Sequence, residues 1–471
     1  MRRTKIICTL GPSSNSREII EEMVLSGMDI ARLNFSHGAH QEFKELISLI
    51  REIAARLNRT VAIIQDLQGV KLRIGTFKGG AVFLKPGQTF TLSMKETQGD
   101  EELASVNYPD LAGYVQPGDK ILIDDGLVQL EVVEHSPDMI KCRVIEGGMV
   151  KDHKGVNLPG VGIKVALPTA KDIKDLHFGI ENGVDYVAVS YVTGAADLIA
   201  IREIINSKKA DIPVIAKLER AEAIDHLDEI LQAADGLMVA RGDLGVELPL
   251  EIVPILQKKI IKEANQSGIP VITATQMLES MVKNPRPTRA EVSDVANAIF
   301  DGTDALMLSA ETSAGDYPVK SVQLMAKIAL ISEENMDWEN LRSHSKGQTE
   351  PVFSDVISEA ACEAAKNLRA KAIVAFTQSG FTARLISKYR PMAPIIAFTQ
   401  HERVKRRLAL YWGVIPYVMG LVEHTDEMIL KVEQALKEQG LAKSHDDIVI
   451  LSGAPIFEKG TTNLLKLHRL G

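Results

Sequence analysis

Eight short, almost uninterrupted apolar runs most constrain what this chain can fold into. They are Lys5 to Leu10, Asp29 to Asn34, Val61 to Asp66, Tyr186 to Tyr191, Pro213 to Leu218, Gly236 to Ala240, Pro270 to Thr275 and Ala305 to Ser309. Each is too brief for a helix and ends in polar residues or glycine, the signature of a strand buried on both faces of a parallel sheet. Amphipathic stretches lie between most of them, among them Ser16 to Ser26, Gln41 to Leu57, Ala195 to Ser207 and Val253 to Ser267. Strand and helix therefore alternate, and eight such units predict an α/β fold of the closed (β/α)₈ TIM-barrel type.

Between the third and fourth runs the texture changes. Lys71 to Ala166 carries turn signals at Lys78-Gly79-Gly80, Pro86-Gly87, Pro117-Gly118 and Glu146-Gly147-Gly148, with alternating runs such as Val128 to Val133. This predicts a small inserted β-barrel or sandwich lobe, placed to close over the barrel's catalytic end. Beyond a polar, linker-like stretch at 342–351, Ala372 to Phe376, Pro394 to Phe398, Val414 to Val418 and Asp447 to Leu451 read as strands of a separate C-terminal α/β domain. The expected division is barrel 1–70 and 167–342, lobe 71–166 and C-terminal domain 351–471. At 471 residues the chain is indeed too long for one core.

A net charge of -8 argues against a nucleic-acid or anionic-membrane binder, so anionic ligands need a local basic pocket. Cys8, Cys142 and Cys362 show neither disulfide nor metal-site spacing, which fits a reducing cytoplasm. The apolar run after Arg2-Arg3 is too short for a signal peptide, and no stretch is long enough to span a bilayer.

In a barrel of this kind the site lies at the C-terminal ends of the strands. Those ends are unusually polar: Arg32-Leu33-Asn34-Phe35-Ser36, Asp66, Lys217-Leu218-Glu219, Arg241-Gly242-Asp243, Thr273-Ala274-Thr275-Gln276 and Ser309-Ala310-Glu311. Lys217 and Glu219 are two apart on one strand and so share a face. Arg32, Arg73, Lys217, Glu219, Asp243 and Thr275 together would stabilise a barrel poorly but would suit a phosphate with a hard cation. Glu219 and Asp243 supply oxygen ligands to Mg²⁺, and Arg32 and Lys217 neutralise a transferring phosphoryl group. The competing reading is that these strand-end charges only pair with one another.

These motifs resemble those of the pyruvate kinase family. The matching segments are Thr4-Lys5-Ile6 to Gly11-Pro12, Arg32 to Gly38, Lys154-Gly155-Val156-Asn157-Leu158-Pro159-Gly160, Met238 to Glu247, and Thr273 to Leu278 continuing through Asn284 to Glu291. The resemblance implies transfer of the phosphoryl group of phosphoenolpyruvate to ADP, giving pyruvate and ATP. It implies Lys217 as the lysine stabilising the transition state, and Glu219 and Asp243 as ligands of Mg²⁺, with Mn²⁺ as a substitute. Arg32, Gly242, Asp243 and Thr275 are implied as phosphoenolpyruvate contacts, and Arg73 and Lys154 as nucleotide contacts. Thr275 is also implied in protonating the enolate, through a relay with Ser309, because a hydroxyl is a weak acid. A cytoplasmic homotetramer is the family's usual state.

The family's K⁺ ligands correspond to Asn34, Ser36, Asp66 and Leu67, so one side-chain oxygen is missing here, and Lys71 stands where potassium-dependent members carry Glu. The expectation is activity without K⁺, the Lys71 ammonium supplying its charge; the bland alternative is a solvated hinge lysine. Val70 replaces the usual hinge proline, Ala310 replaces a glycine, and Tyr191-Val192-Thr193 lacks a basic residue usual in the family. In the C-terminal domain Thr377, Ser379, Gly380 and Thr382 form a loop before a helix that matches the family's effector-phosphate loop, with Gly460-Thr461-Thr462 as a second wall. His37 and His177 lack metal-ligand spacing and read as structural. Two rivals share parts of this pattern: a Mg²⁺-dependent pyruvate-enolate aldolase barrel, and a catalytically inactive regulatory homologue.

Overall fold

The computed structural model describes residues 1–162, 167–339, 341, 352–420, 424–453 and 462–471. The stretch expected to be a linker and residues 460 and 461 of the expected effector wall lie outside the described residues.

The eight apolar runs form a closed parallel barrel. In chain order its strands are Lys5–Thr9, Ile30–Asn34, Ala62–Asp66, Tyr186–Val189, Val214–Leu218, Gly236–Ala240, Val271–Ala274 and Ala305–Leu308, and the first pairs with the last to close the ring. Four strands end one or two residues before the expected run and the other four end where expected, two of them on Asn34 and Asp66. All five residues of the fifth and sixth strands are buried. Alternate side chains fill the barrel interior, among them Ile7, Ile64, Tyr186, Ile215, Met238 and Met307, and the others pack against the outer helices.

Helix boundaries follow capping chemistry. Ser16 accepts from the Ile19 amide ahead of Arg17–Ser26, and Thr169 and Thr288 form capping boxes with Asp172 and Glu291.

Between the third and fourth barrel strands, a six-stranded sheet and a two-stranded ribbon enclose a second apolar cluster. Val128–Ser136 and Met139–Glu146 are the long antiparallel pair at its centre. The C-terminal domain is a five-stranded sheet in which the four expected strands run parallel. A fifth, Leu464–Arg469, adds antiparallel at the edge.

That domain also seals the barrel. Ala409 and Leu410 complete the barrel's interior cluster at the end opposite the polar strand tips, with Leu410 wholly buried. Around this plug Arg390 donates to Asp304 (2.8 Å) and Asn265 (2.6 Å), and the Tyr186 hydroxyl donates to the Arg407 carbonyl (2.7 Å). Among the described residues no helix is long and apolar enough to cross a membrane.

Candidate active site

The polar strand ends converge. Lys217, nine-tenths buried on strand five, donates to the Ser190 hydroxyl (2.6 Å) and pairs with Glu219 (2.8 Å) and Asp66 (3.2 Å). Arg32, from strand two, donates through Nε to Asp66 (2.6 Å) and through Nη1 to the Thr9 hydroxyl (2.9 Å). Three strands thus tie one lysine and one arginine to the same buried aspartate.

Burial alone would drive these groups toward neutrality. It disfavours the Lys217 ammonium, but Asp66 and Glu219 outweigh that and hold its pKa above the ordinary lysine value. Burial also opposes ionisation of Asp66, yet Lys217 and Arg32 keep its carboxyl below the usual range. The two remaining acids behave oppositely. Glu219 is pushed up by burial and by the charge of Asp243, despite Lys217 beside it. Asp243 is pushed up chiefly by burial, with Lys217 and Lys71 opposing and Asp125 of the lobe adding like charge. Two hard oxygen donors that lack enough positive charge fit a divalent cation such as Mg²⁺.

The backbone presents these groups in strained form. Asp243 lies in the first turn of helix Arg241–Glu247, which follows strand six directly. Tyr191 (φ 59°), Thr275 (φ 68°) and Gln276 (φ 53°) are left-handed, an uncommon state for such residues and one that clusters at working sites. Each is held. The Tyr191 amide donates to Glu219 (2.8 Å), while Arg241 donates to the Thr275 carbonyl (2.8 Å) and pairs with Asp294 (2.7 Å). The Thr275 hydroxyl accepts from the Gly242 amide (2.7 Å) and donates to the Ala274 carbonyl (2.6 Å). A Cβ at Gly242 would stand 3.4 Å from that hydroxyl, an ordinary van der Waals contact. Among the described residues the buried Ser309 hydroxyl has no partner, and Glu311 orders its loop by accepting from the Ser309 (2.7 Å) and Leu278 (3.0 Å) amides.

At the rim near strands two and three the charges are basic. His37 is held below the usual imidazole pKa by burial and by Lys71, Arg73 and Lys171. Lys71 is part-buried and lowered by burial first; Arg73 and Lys217 add to this, while Asp243 and Glu219 oppose it. Its ammonium therefore lies in the field of both acids rather than free in solvent. Arg73 donates to the His153 carbonyl (2.6 Å), and Lys154 pairs with Asp124 (2.8 Å), so both are anchored in the lobe and its hinge. The Asn34 side chain accepts from the Ser36 amide (3.1 Å), and Leu67 is buried, offering its carbonyl to Ser190 (2.9 Å).

In the C-terminal domain the Thr377 hydroxyl accepts from the Gly380 amide (2.9 Å), and the Thr382 and Thr462 hydroxyls meet at 2.8 Å. The loop and the described part of its second wall are adjacent.

Sequence reasoning missed Ser190 and Thr9, which order Lys217 and Arg32, and Lys171, which donates to the Phe35 carbonyl (2.6 Å) behind the strand-two loop. A serine or threonine next to last in an apolar run was the signal for the first two.

Fold and site together define a (β/α)₈-barrel protein with a buried cluster of paired cations and carboxylates at its strand tips. Residues 1–322 match the family model described as pyruvate kinase, barrel domain, and residues 355–468 match pyruvate kinase, alpha/beta domain. A pyruvate kinase of Geobacillus stearothermophilus is 49% identical over 99% of this chain and 80% of its own length. One from Staphylococcus epidermidis is 47% identical over 100% of the chain and 81% of its own length. The crystal structure of a pyruvate kinase from Cryptosporidium parvum superposes with a TM-score of 0.95 at 38% identity, covering 100% of this chain and 96% of that one. The chain belongs to the pyruvate kinase family.

Proposed function

We propose that this chain transfers the phosphoryl group of phosphoenolpyruvate to ADP, giving pyruvate and ATP, in a Mg²⁺-dependent reaction at the strand tips. The observation that carries the reading is Lys217, a buried ammonium fixed between Asp66 and Glu219 and ordered by Ser190. A lysine kept charged in low dielectric is suited to stabilising negative charge that moves between donor and acceptor oxygens. Arg32, locked by Asp66 and Thr9, presents a second positive group without having to reorganise.

Glu219 and Asp243 would hold the divalent ion, which when bound neutralises phosphate oxygens and orients the substrates. Gly242 and Thr275 contact phosphoenolpyruvate in this reading. The Thr275 hydroxyl joins a chain of hydrogen bonds beside the developing enolate, with Ser309 as the second hydroxyl of a proton relay. Arg73 and Lys154, with the positive field around His37, serve the nucleotide phosphates. An aldolase-type barrel would have no use for this basic rim facing a lobe, and an inactive homologue would have no need of strained Tyr191 and Thr275.

Lys71 takes the place of K⁺, its charge felt by Asp243 and Glu219. In Na⁺-free, K⁺-free tetramethylammonium buffer the rate should match that with added KCl within a factor of about two, whereas a large stimulation by KCl would defeat the assignment. Thr377, Ser379, Gly380 and Thr382 make an effector-phosphate loop, and a cytoplasmic homotetramer completes the reading. The test of the reaction is a coupled assay of pyruvate from phosphoenolpyruvate and ADP. Pyruvate should form with Mg²⁺ and not after chelation, and ADP-independent pyruvate release would overturn the proposal.

A further inference from the structure

A cleft of about 590 Å³ lies between the lobe hinge and the tips of barrel strands four to six. It is not lined by Lys217, Asp243 or Thr275, and it adjoins the phosphoryl-transfer centre through Tyr191, whose amide holds Glu219. Its hinge side is apolar, formed by Val70, Leu72, Val156 and Leu158, and Tyr191 adds an aromatic wall. The size and lining are those of a small-molecule site.

One group in it is out of place in such surroundings. Glu247, the last residue of helix Arg241–Glu247, is 8% exposed, and among the described residues its buried Oε2 has no partner. Its Oε1 has only a long 3.5 Å contact from the Asn157 amide. Arg220, also on the lining, favours the Glu247 charge through space but makes no hydrogen bond to it, donating instead to Glu222 (2.7 Å) and to the Val161 carbonyl (3.2 Å). His226, also on the lining, faces Glu229 (3.3 Å). A buried carboxylate oxygen without a donor is costly to maintain, and the missing donor is what the site would take from a ligand.

We propose that this cleft binds a small organic cation with an apolar body, its ammonium or amidinium head donating to Glu247 and its body lying on the hinge residues and Tyr191. A forked, planar donor suits a carboxylate best because it reaches both oxygens at once. Such a ligand would bridge lobe and barrel beside the hinge, alongside the Asn157 contact, and would fix the lobe's angle.

Benzamidine is the probe and benzoate its control of equal size and opposite charge, titrated calorimetrically into the full-length protein in Mg²⁺-free buffer. Saturable binding of one benzamidine per chain is expected, with benzoate silent. Glu247→Gln should weaken benzamidine binding at least about tenfold, whereas Asp243→Asn should retain it. Val70→Phe, which fills the cleft from the hinge side, should abolish it and keeps the test decisive should Glu247→Gln fail to fold. Absence of benzamidine binding, equal binding of benzoate, loss of binding in Asp243→Asn, or retention of binding in either cleft variant would overturn the proposal. None of these outcomes bears on phosphoryl transfer.

Discussion

At Lys217 three acceptors, at the ends of strands three, four and five, share one ammonium, and the pairing gives each of them a job. Asp66 and Glu219 keep the lysine charged, while Ser190 fixes its direction and donates its own hydroxyl hydrogen bond to the Leu67 carbonyl. Lys217→Met should therefore lower kcat by on the order of 10³-fold with the fold intact by circular dichroism; a loss below about tenfold would remove Lys217 from the chemistry. Ser190→Ala should leave the KM for phosphoenolpyruvate nearly unchanged and reduce kcat by about tenfold, since it misdirects the ammonium without deleting it. Lys217, Glu219 and Asp243 could be read from the sequence because charged residues at or just beyond the end of an apolar run are rare. Ser190 could not, because a serine there is equally at home in a barrel wall.

At the scale of elements, the barrel supplies position and the segments just beyond its strands supply strain. The short 3₁₀ segment Glu279–Val282 after strand seven is tied to the next helix by Glu291, which accepts from the Ser280 amide (2.7 Å) and hydroxyl (2.5 Å) and from the Thr288 amide (2.7 Å). Burial opposes the Glu291 charge, but these hydrogen bonds outweigh it and lower its pKa. A carboxyl lowered on folding contributes stability above its unfolded value of about 4.3, and that contribution is lost as the pH falls through the lower folded value. Glu291→Gln should thus lower the melting midpoint at pH 7 and flatten its decline below about pH 4.3. An unchanged acid limb would contradict this. Strand and helix periods made most elements visible in the sequence. The edge strand Leu464–Arg469 escaped because half its residues are polar, which hides the apolar run that marks the other strands of its sheet.

For the whole molecule, the C-terminal domain is the plug of the barrel as well as its neighbour. Leu410 occupies the end away from the active site, and the buried Arg390–Asp304 pair stands beside it. Leu410→Ala leaves a cavity inside the barrel and should cost about 2–5 kcal/mol, seen as a single lower-melting transition of barrel and C-terminal domain together. Separate melting of the two with the barrel unaffected would show the plug to be dispensable. Sequence patterns gave no hint of this contact, since Leu410 lies in a short connection and its partners are scattered over eight strands. The direct measurement of the central claim is a Mn²⁺ titration followed by electron paramagnetic resonance on wild type, Glu219→Gln and Asp243→Asn. One tight ion per chain is expected in wild type, weakened at least about tenfold by either substitution, and wild-type affinity in both variants would contradict a metal held between these two acids.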